Sequence, residues 1–349
     1  MTQEQKPPPL TYAASGVNLS ERQKVVSRYR DAARVADRPE VLGGIGPFAG
    51  MFAIGSGYRD PVLVSTTDTV GTKGRLAAIA GRYEGLGHDI VNHCVNDALT
   101  TGAKPLFFMD TIVSADLSSD AKVALVKGVA KACAELEVAL LGGETADMPG
   151  TYLPGGFDLI GFVTGLVERD QIIDGSAIVA GDLLFALPSN GLHTNGYSLA
   201  RGALGIGVEG SDPARDLARL NERHDALGES LGDALLRPHR CYYAELRPAF
   251  SVIKGMAHVT GGGIEENLAR MLPDGLGARL ARSSWPVPPI FPFIQHAGGI
   301  DDAEMYRVFN MGLGMVFAVA SGSVRRLQSL VPGVLQVGEV VAKPGVELK

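Results

Sequence analysis

The chain of 349 residues has few cysteines, few aromatic residues and no cluster of positive charge. Its cysteines, Cys94, Cys133 and Cys241, are far apart, and no redox or metal-binding motif surrounds them. We therefore interpret them as small core residues of a protein in a reducing compartment. The net charge is −6, and without a basic stripe a nucleic-acid partner is not expected.

Long apolar runs are also missing, so no membrane-spanning segment is predicted. The first ten residues, MTQEQKPPPL, are polar and proline-rich and do not resemble a signal peptide; residues 1–15 are predicted to be a disordered lead-in. A P-loop is absent, since G-x-x-x-x-G-K-[ST] does not occur. These absences predict a cytoplasmic protein without a membrane anchor.

Glycine is abundant, with 45 residues set between apolar runs, which predicts many tight turns.

The length suits two domains, predicted at 16–167 and 168–349. In the first, helical and strand-like patterns alternate, which predicts a sheet layered with helices, an α/β (α+β) fold. Its predicted helices are 20–36, 85–101 and 119–136, and its predicted strands are 62–67, 106–113, 138–141 and 157–167. In the second, the predicted strands are 183–188, 313–319 and 335–341, the predicted helices are 196–204, 239–253, 262–272 and 321–331, and residues 205–228 are predicted to be a long loop or irregular helix.

Three acidic residues follow or flank these elements. Asp68 leaves a strand and is followed by Gly71, Thr72 and Lys73, a pattern that can hold a metal and a phosphate, although an ordinary capped turn explains it slightly better. Asp97 lies at the edge of an apolar helical stripe, where an arginine or N–H partner is the simpler explanation. Glu144 follows Gly142-Gly143 at a strand end, and here a functional role is favoured. Three such acids could converge on one Mg²⁺.

Glycine-rich and polar loops supply the other candidates. The loop Gly43-Gly44-Ile45-Gly46-Pro47-Phe48 fits a cover over nucleotide phosphates better than a dinucleotide fingerprint, because Pro47 obstructs the helix entry. The segment from Ser189 through His193 and Asn195 opens a helix, and its histidine is interpreted as functional. Gly261-Gly262-Gly263 precedes another helix and is a potential phosphate cradle.

Together these segments resemble the phosphoribosylformylglycinamidine cyclo-ligase (AIR synthetase) family. The motifs occur in the family's order along nearly the whole chain: GGIGPF, DTVGTK, VND, AKPLFFMD, GGETADMPG, SNGLHTNGYSL, VTGGGIEEN and MYRVFNMGLGM. Asn18, Thr69, Leu192, Thr194 and Met311 depart from the family's usual residues. None of these departures removes a candidate acid, His193 or Asn195, but the role of Asn18 is left open.

The resemblance implies a two-domain fold in a homodimer, whose N-terminal sheets meet in an eight-stranded barrel near the ATP site. It also implies ATP-dependent closure of formylglycinamidine ribonucleotide to 5-aminoimidazole ribonucleotide in purine biosynthesis, with release of ADP and phosphate. The implied metal ligands are Asp68, Asp97 and Glu144. The implied triphosphate contacts are Lys73, Gly71, Thr72, Gly142, Gly143 and the loop residues Gly43, Gly44, Gly46 and Phe48. The implied catalytic residues are His193, Asn195 and Lys73, and the implied substrate contacts add Ser189, Gly261, Gly262 and Gly263.

The sequence disfavours two other classes of function. Thiamine-monophosphate kinase and selenophosphate synthetase share single motifs, but the first generally lacks HTNGYSL and FNMGLGM together. The second normally carries a reactive cysteine near its N-terminus, whereas no cysteine precedes Cys94 here. A non-catalytic nucleotide-binding scaffold is disfavoured by the retention of every candidate acid.

Overall fold

The structure, a computed structural model, describes residues 19–44 and 46–349; the predicted lead-in and Asn18 lie outside the described residues. The helices are α1 Leu19–Ala33, α2 Lys73–Ala80, α3 Glu84–Leu99, α4 Ser119–Glu135, α5 Tyr197–Leu204, α6 Pro213–Asn221, α7 Leu231–Leu235, α8 Tyr243–Leu246, α9 Gly263–Met271, α10 Ile290–Gly298, α11 Asp302–Val308 and α12 Val324–Leu330. The strands are β1 Val41–Leu42, β2 Met51–Phe52, β3 Pro61–Thr69, β4 Lys104–Ser114, β5 Ala139–Asp147, β6 Phe157–Glu168, β7 Leu183–Pro188, β8 Arg223–His224, β9 Glu229–Ser230, β10 Ile253–His258, β11 Gly277–Leu280, β12 Leu313–Val319, β13 Leu335–Val341 and β14 Gly345–Leu348. None of the helices within the described ranges is long and apolar enough to cross a bilayer.

The first sheet has the order β3-β6-β4-β5, with β4 and β5 parallel and the other pairs antiparallel. Helices α3 and α4 cover one of its faces. Along β4 the buried side chains alternate with more exposed ones, as a strand with one covered face requires. Phe108 and Ile112 are fully buried, whereas Met109 on the opposite face is 38% exposed. Within residues 19–44 and 46–349, this face of the sheet is therefore largely uncovered, apart from the contact of Phe52 with Phe107.

Helices α3 and α4 approach each other closely through glycine. A Cβ added at Gly128 would lie 1.9 Å from the carbonyl oxygen of Glu84, and one added at Gly87 would lie 2.2 Å from the backbone nitrogen of Val129. Both contacts are with backbone atoms, which cannot rotate away. The two glycines thus set how tightly this helical layer packs on the sheet.

The second sheet has the order β10-β12-β7-β13-β11-β14. Its interior strand β12, between β10 and β7, is buried along its whole length, in keeping with its apolar sequence LGMVFAV. Strands β7 and β10 run out into the loops that carry His193 and the 261–263 glycines. The second sheet therefore presents two polar loops toward the first.

Most of the predicted elements are confirmed, including every predicted strand and the helices at α3, α4, α5 and α9. The predicted helix at 239–253 is wrong: α8 spans four residues, a 3-10 turn follows, and β10 begins at Ile253. The segment 205–228 contains a regular helix, α6, which begins at Pro213 with Asp212 as its N-cap. The domain division at 167/168 stays a prediction.

A buried acid lies under the first sheet. Asp110 on β4 is 6% exposed, and burial raises its pKa from the ordinary 3.8 to about 7. Its neighbour across the parallel pair is Gly143, where a Cβ would lie 2.6 Å from Asp110 Oδ1. A side chain at position 143, in the predicted Gly142-Gly143 phosphate contact, would therefore clash with the carboxyl group of Asp110. A Cβ added at Gly142 would meet no atom within 4 Å.

Asp110→Asn is expected to make the protein less sensitive to rising pH. The folded-state pKa lies above the unfolded one, so the unfolded chain loses this proton first and the free energy of unfolding falls as the pH rises from about 4 to 7. The difference in unfolding free energy between variant and wild type should grow in the variant's favour by about 1.4 kcal/mol per pH unit in this window and level off above it. Urea unfolding between pH 5 and 8 measures it, with Asp174→Asn on the surface as control. A pH-independent difference would contradict the prediction.

Candidate active site between the two sheets

Two predicted acids meet at one histidine. Asp68 is at the end of β3 and Asp97 on the last turns of α3, and His93 lies one helical turn before Asp97. His93 Nε2 is 2.9 Å from Asp68 Oδ2 and 3.7 Å from Asp97 Oδ2. Burial opposes a charge on His93, but the Asp68 hydrogen bond and the charges of both carboxylates raise its pKa. The two acids are thus held as carboxylates around an imidazole that favours its protonated form.

A hydrogen-bonded chain continues from these acids into the second half of the molecule. Asp97 Oδ1 lies 2.7 Å from His258 Nδ1, and His258 Nε2 lies 3.0 Å from His239 Nε2. His239 Nδ1 is 3.2 Å from the hydroxyl oxygen of Thr194, which is itself 2.6 Å from His93 Nδ1. Three imidazoles, one hydroxyl and two carboxylates therefore form one continuous network, with members from both sheets' elements.

The imidazole ring of His193 lies beside this network, and neither of its nitrogens is hydrogen-bonded to a described residue. This ring stacks on that of His239, with centroids 3.9 Å apart and planes 18° apart, and it is 2% exposed. Burial, then the nearby His258 and Lys73, hold the pKa of His193 well below its usual 6.5. At neutral pH this ring is uncharged, so its two nitrogens can donate one hydrogen bond and accept another from a group brought to them.

Lys73 does not lie where the sequence predicted. It is fully buried, and its ammonium donates to Asp89 Oδ1 at 2.8 Å and to the carbonyls of His193 and Arg237 at 3.1 and 2.8 Å. A lysine has three N–H donors, and all of them are engaged. The predicted triphosphate contact and catalytic role of Lys73 are therefore corrected, since the ammonium is paired inside the protein.

The predicted substrate loops do come together. A Cβ at Gly261 would lie 3.2 Å from Asn195 Oδ1, so the 261–263 loop adjoins the His193 loop. Asn267 braces that loop by donating to the carbonyls of Gly261 and Gly263 at 3.1 and 2.8 Å. Ser189 is buried and donates to Asn310 Oδ1 at 2.7 Å, so it supports the loop from below. Gly71 and Thr72 also lie at this junction, because the Thr72 hydroxyl is 3.1 Å from Ser198 Oγ on α5.

Other predicted residues lie at the far edge of the first sheet. Glu144 shares a cross-strand row with Thr111, Ile160 and Thr69, so two strands separate it from β3. At about 4.8 Å per strand the two backbones are roughly 14 Å apart. The loop with Gly43, Gly44, Gly46 and Phe48 joins β1 to β2, and Phe48 is fully exposed. Phe52 on β2 packs on Phe107 of β4, with ring centroids 5.4 Å apart. The prediction of one ion held by Asp68, Asp97 and Glu144 is therefore corrected: within one chain only the first two meet.

Among the described residues, two sets of three side chains are close enough to share an ion: His193, His239 and His258, and His93, Asp97 and His258. In the first set two rings are stacked nearly parallel. Because an imidazole lone pair lies in the ring plane, two stacked rings cannot both point at a common ion. The second set includes Asp97, but His93 favours its protonated form and cannot bind an ion in that form, so the carboxylates of Asp97 and the partly exposed Asp68 are the better cation site.

Comparison with known proteins decides the family. The chain matches the family models "AIR synthase related protein, N-terminal domain" over residues 49–167 and "AIR synthase related protein, C-terminal domain" over residues 179–349. It is 45% identical to a phosphoribosylformylglycinamidine cyclo-ligase of Geobacillus thermodenitrificans over 342 residues, 96% of each chain. The chain belongs to the phosphoribosylformylglycinamidine cyclo-ligase family.

Solved structures outside the cyclo-ligases share the fold. A thiamine-monophosphate kinase from Stenotrophomonas maltophilia matches with a TM-score of 0.68 at 21% identity, covering 93% of this chain and 95% of that one. The hydrogenase maturation protein HypE, solved in complex with ATP, matches with a TM-score of 0.58 at 17% identity, covering 93% and 87%. At these identities the likeness concerns the fold alone, and it confirms the predicted two-part α/β architecture.

The sequence patterns missed His93, His239, His258 and Asp89. His93 carries the one available signal, because it precedes Asp97 by four positions on a predicted helix. His239 and His258 come from segments far away in the chain, and His239 lies in the region whose structure was predicted wrongly. Their grouping depends on how the two sheets pack together.

Proposed function

We propose that this cyclo-ligase family member closes the imidazole ring of 5-aminoimidazole ribonucleotide from formylglycinamidine ribonucleotide, using ATP. The observation that carries the proposal is 45% identity over 96% of the chain to a protein of that name. The geometry agrees with it, because two carboxylates and a neutral, unpartnered imidazole face one junction between the sheets.

The proposed chemistry has two steps. The γ-phosphoryl group of ATP passes to the formyl amide oxygen, which gives ADP and makes that oxygen a good leaving group. The amidine nitrogen then attacks the same carbon, the C–O bond breaks with release of phosphate, and the attacking nitrogen loses a proton. Such chemistry depends mainly on positioning and charge neutralisation. His193 and Asn195 are proposed to orient the amide or take the proton, and Gly261 to Gly263 to hold the ribose phosphate.

Mg²⁺ is proposed to accompany ATP at Asp68 and Asp97. Both side chains are about one-third exposed, at 34% and 31%, and both face His93 Nε2. Mg²⁺ typically binds through one or two carboxylates and keeps several waters and substrate phosphates as its other ligands, which fits this donor pair. When bound, the ion would neutralise phosphate charge.

The proposed homodimer is supported by the open face of the first sheet. Leu63, Met109 and Phe162 on this face are 58%, 38% and 37% exposed, and a second copy would cover them. Phe162→Lys should convert a dimer to a 36.6 kDa monomer in sedimentation. Ile172→Lys, at an equally exposed position outside the sheet, is the control; a monomeric wild type would contradict the proposal.

One incubation separates this function from its rivals. Purified protein with Mg²⁺, ATP and formylglycinamidine ribonucleotide should yield an aromatic amine, detected by diazotisation, with one ADP per ring. Parallel incubation with thiamine monophosphate should give no ADP above background. The proposal would be overturned if no aromatic amine formed in the first reaction or if thiamine monophosphate were phosphorylated in the second. If neither reaction gave a product, a nucleotide-binding scaffold would be favoured.

A further inference from the structure

The ion pair of Lys73 and Asp89 joins the two halves of the molecule at the site. Lys73 begins α2 and Asp89 is on α3, both beside the first sheet, and neither side chain is exposed. Two of the three hydrogen bonds of the ammonium go to the carbonyls of His193, in the loop after β7, and of Arg237, in the segment after α7. The ion pair therefore links side chains of the first half to backbone carbonyls of the second half.

Asp89 bonds the backbone of His239, the residue whose ring stacks on that of His193. Its Oδ1 accepts the backbone N–H of His239 at 2.7 Å as well as the Lys73 ammonium at 2.8 Å. One buried ion pair thus bonds the carbonyl of His193 and the N–H of His239, whose rings stack 3.9 Å apart. The separation and parallel orientation of the two rings depend on these two backbone positions.

His193 has a backbone conformation that needs such support. Its φ is 62°, in the left-handed region that side chains other than glycine seldom adopt. Strained residues of this kind persist where surrounding contacts over-determine them. Here the carbonyl of His193 accepts from Lys73 Nζ at 3.1 Å, whereas the Tyr197 hydroxyl, 3.2 Å from the same oxygen, donates its single proton to the Leu235 carbonyl at 2.5 Å.

We propose that Lys73 and Asp89 are positioning residues, which hold His193 in its left-handed conformation with its ring stacked on His239. Their role in turnover rests on the proposed ring-closing function, whereas their role in ring placement does not. Neither residue touches substrate in this proposal. They act through the two histidines, so their loss should lower kcat more than it raises KM for ATP.

The test is the double variant Lys73→Met/Asp89→Asn, which removes both charges and so avoids leaving one of them buried alone. The matched control is Lys254→Met/Asp182→Asn. It removes another largely buried lysine–aspartate pair, with Nζ 2.9 and 2.8 Å from the two carboxylate oxygens, that contacts neither histidine. Thermal unfolding of both variants checks that each is folded.

Two readouts are needed. The first is the NMR spectrum of protein labelled at the histidine ring carbons, where the stacked His193 and His239 should give ring-current-shifted signals among the seven histidines. These two signals should move in the Lys73/Asp89 variant and stay in the control. The second is steady-state kinetics, where kcat should fall at least about tenfold, because small misplacements of reacting groups are costly, while KM for ATP changes less than about threefold.

Unchanged histidine signals would overturn the proposal, and so would moved signals with unchanged kcat. If the wild type fails to form the ring, the proposed function fails, but the NMR comparison still tests ring placement on its own. If the double variant does not fold, Lys73→Gln/Asp89→Asn replaces it. This neutral pair keeps an N–H donor at position 73 and Oδ1 as an acceptor at position 89, and it should give smaller shifts in the same two signals; their absence would contradict the proposal.

Discussion

Asp97→Asn is expected to lower kcat by about 100-fold or more. The side chain keeps its shape and can still contact His258, but it no longer carries the negative charge that faces His93 and, in the proposed complex, Mg²⁺. The pKa of Asp97 is lowered, since the hydrogen bond and charge of His258 outweigh burial, so the wild-type group is ionised at neutral pH. The measurement is ring formation at saturating substrates over a range of Mg²⁺ concentrations.

The controls for this variant concern folding and location. Circular dichroism and the midpoint of thermal unfolding should remain close to wild type, because Asp97 is partly exposed. Asp174→Asn removes an exposed acid whose side chain bonds the backbone N–H of Ser176, and should leave kcat unchanged. Turnover near the wild-type value with normal Mg²⁺ dependence in Asp97→Asn would remove Asp97 from the site.

Gly128→Ala is expected to destabilise the first half of the protein by about 2 kcal/mol or more. The new methyl group would lie 1.9 Å from the Glu84 carbonyl oxygen, so α3 and α4 must separate. In a helix free of such contacts the same change stabilises by up to about 1 kcal/mol, which makes the sign of the effect diagnostic. The measurement is the thermal unfolding midpoint, expected to fall by about 5 °C or more.

The matched control for this helix contact is Gly202→Ala on α5. Gly202 is also within a helix, and an added Cβ meets no atom within 4 Å. Its unfolding midpoint should stay the same or rise slightly. Equal effects of the two substitutions would contradict the close approach of α3 and α4. Since α3 carries Asp89, His93 and Asp97, displacement of this helix should also lower turnover in Gly128→Ala.

Local patterns in the sequence predicted the individual elements well. The apolar periodicity of 119–136 and the alternation in 106–113 depend on neighbours three or two residues apart, and α4 and β4 follow them. The segment 239–253 failed because its tyrosines and Ala249 are buried by tertiary packing in short turns, without a continuous helix. Propensity and spacing are weak where the partner surface determines the backbone.

The residues of the candidate site were likewise predicted correctly in some cases and wrongly in others. The sequence singled out Asp68 at a strand end, Asp97 at the edge of an apolar helical stripe and His193 in a polar loop. It also predicted a phosphate-binding role for Lys73, which the structure places in a buried ion pair. A lysine after a glycine turn has the same local pattern whether it points to solvent or inward, and only Asp89, sixteen positions on, decides between them.

The sequence by itself determined the family, all four strands of the first sheet, three of the six strands of the second, and the acids and histidine near the ends of predicted elements, because each depends on residues near one another in the chain. The packing of the two sheets decided which of these residues share a site. The packing of α3 on the first sheet joined Asp68 and Asp97 through His93, the packing of the two halves brought this group to His258 and Thr194, and the strand order of the first sheet left Glu144 two strands away from β3. Contacts over more than a hundred positions of chain are fixed by the burial of whole faces, which no short pattern records.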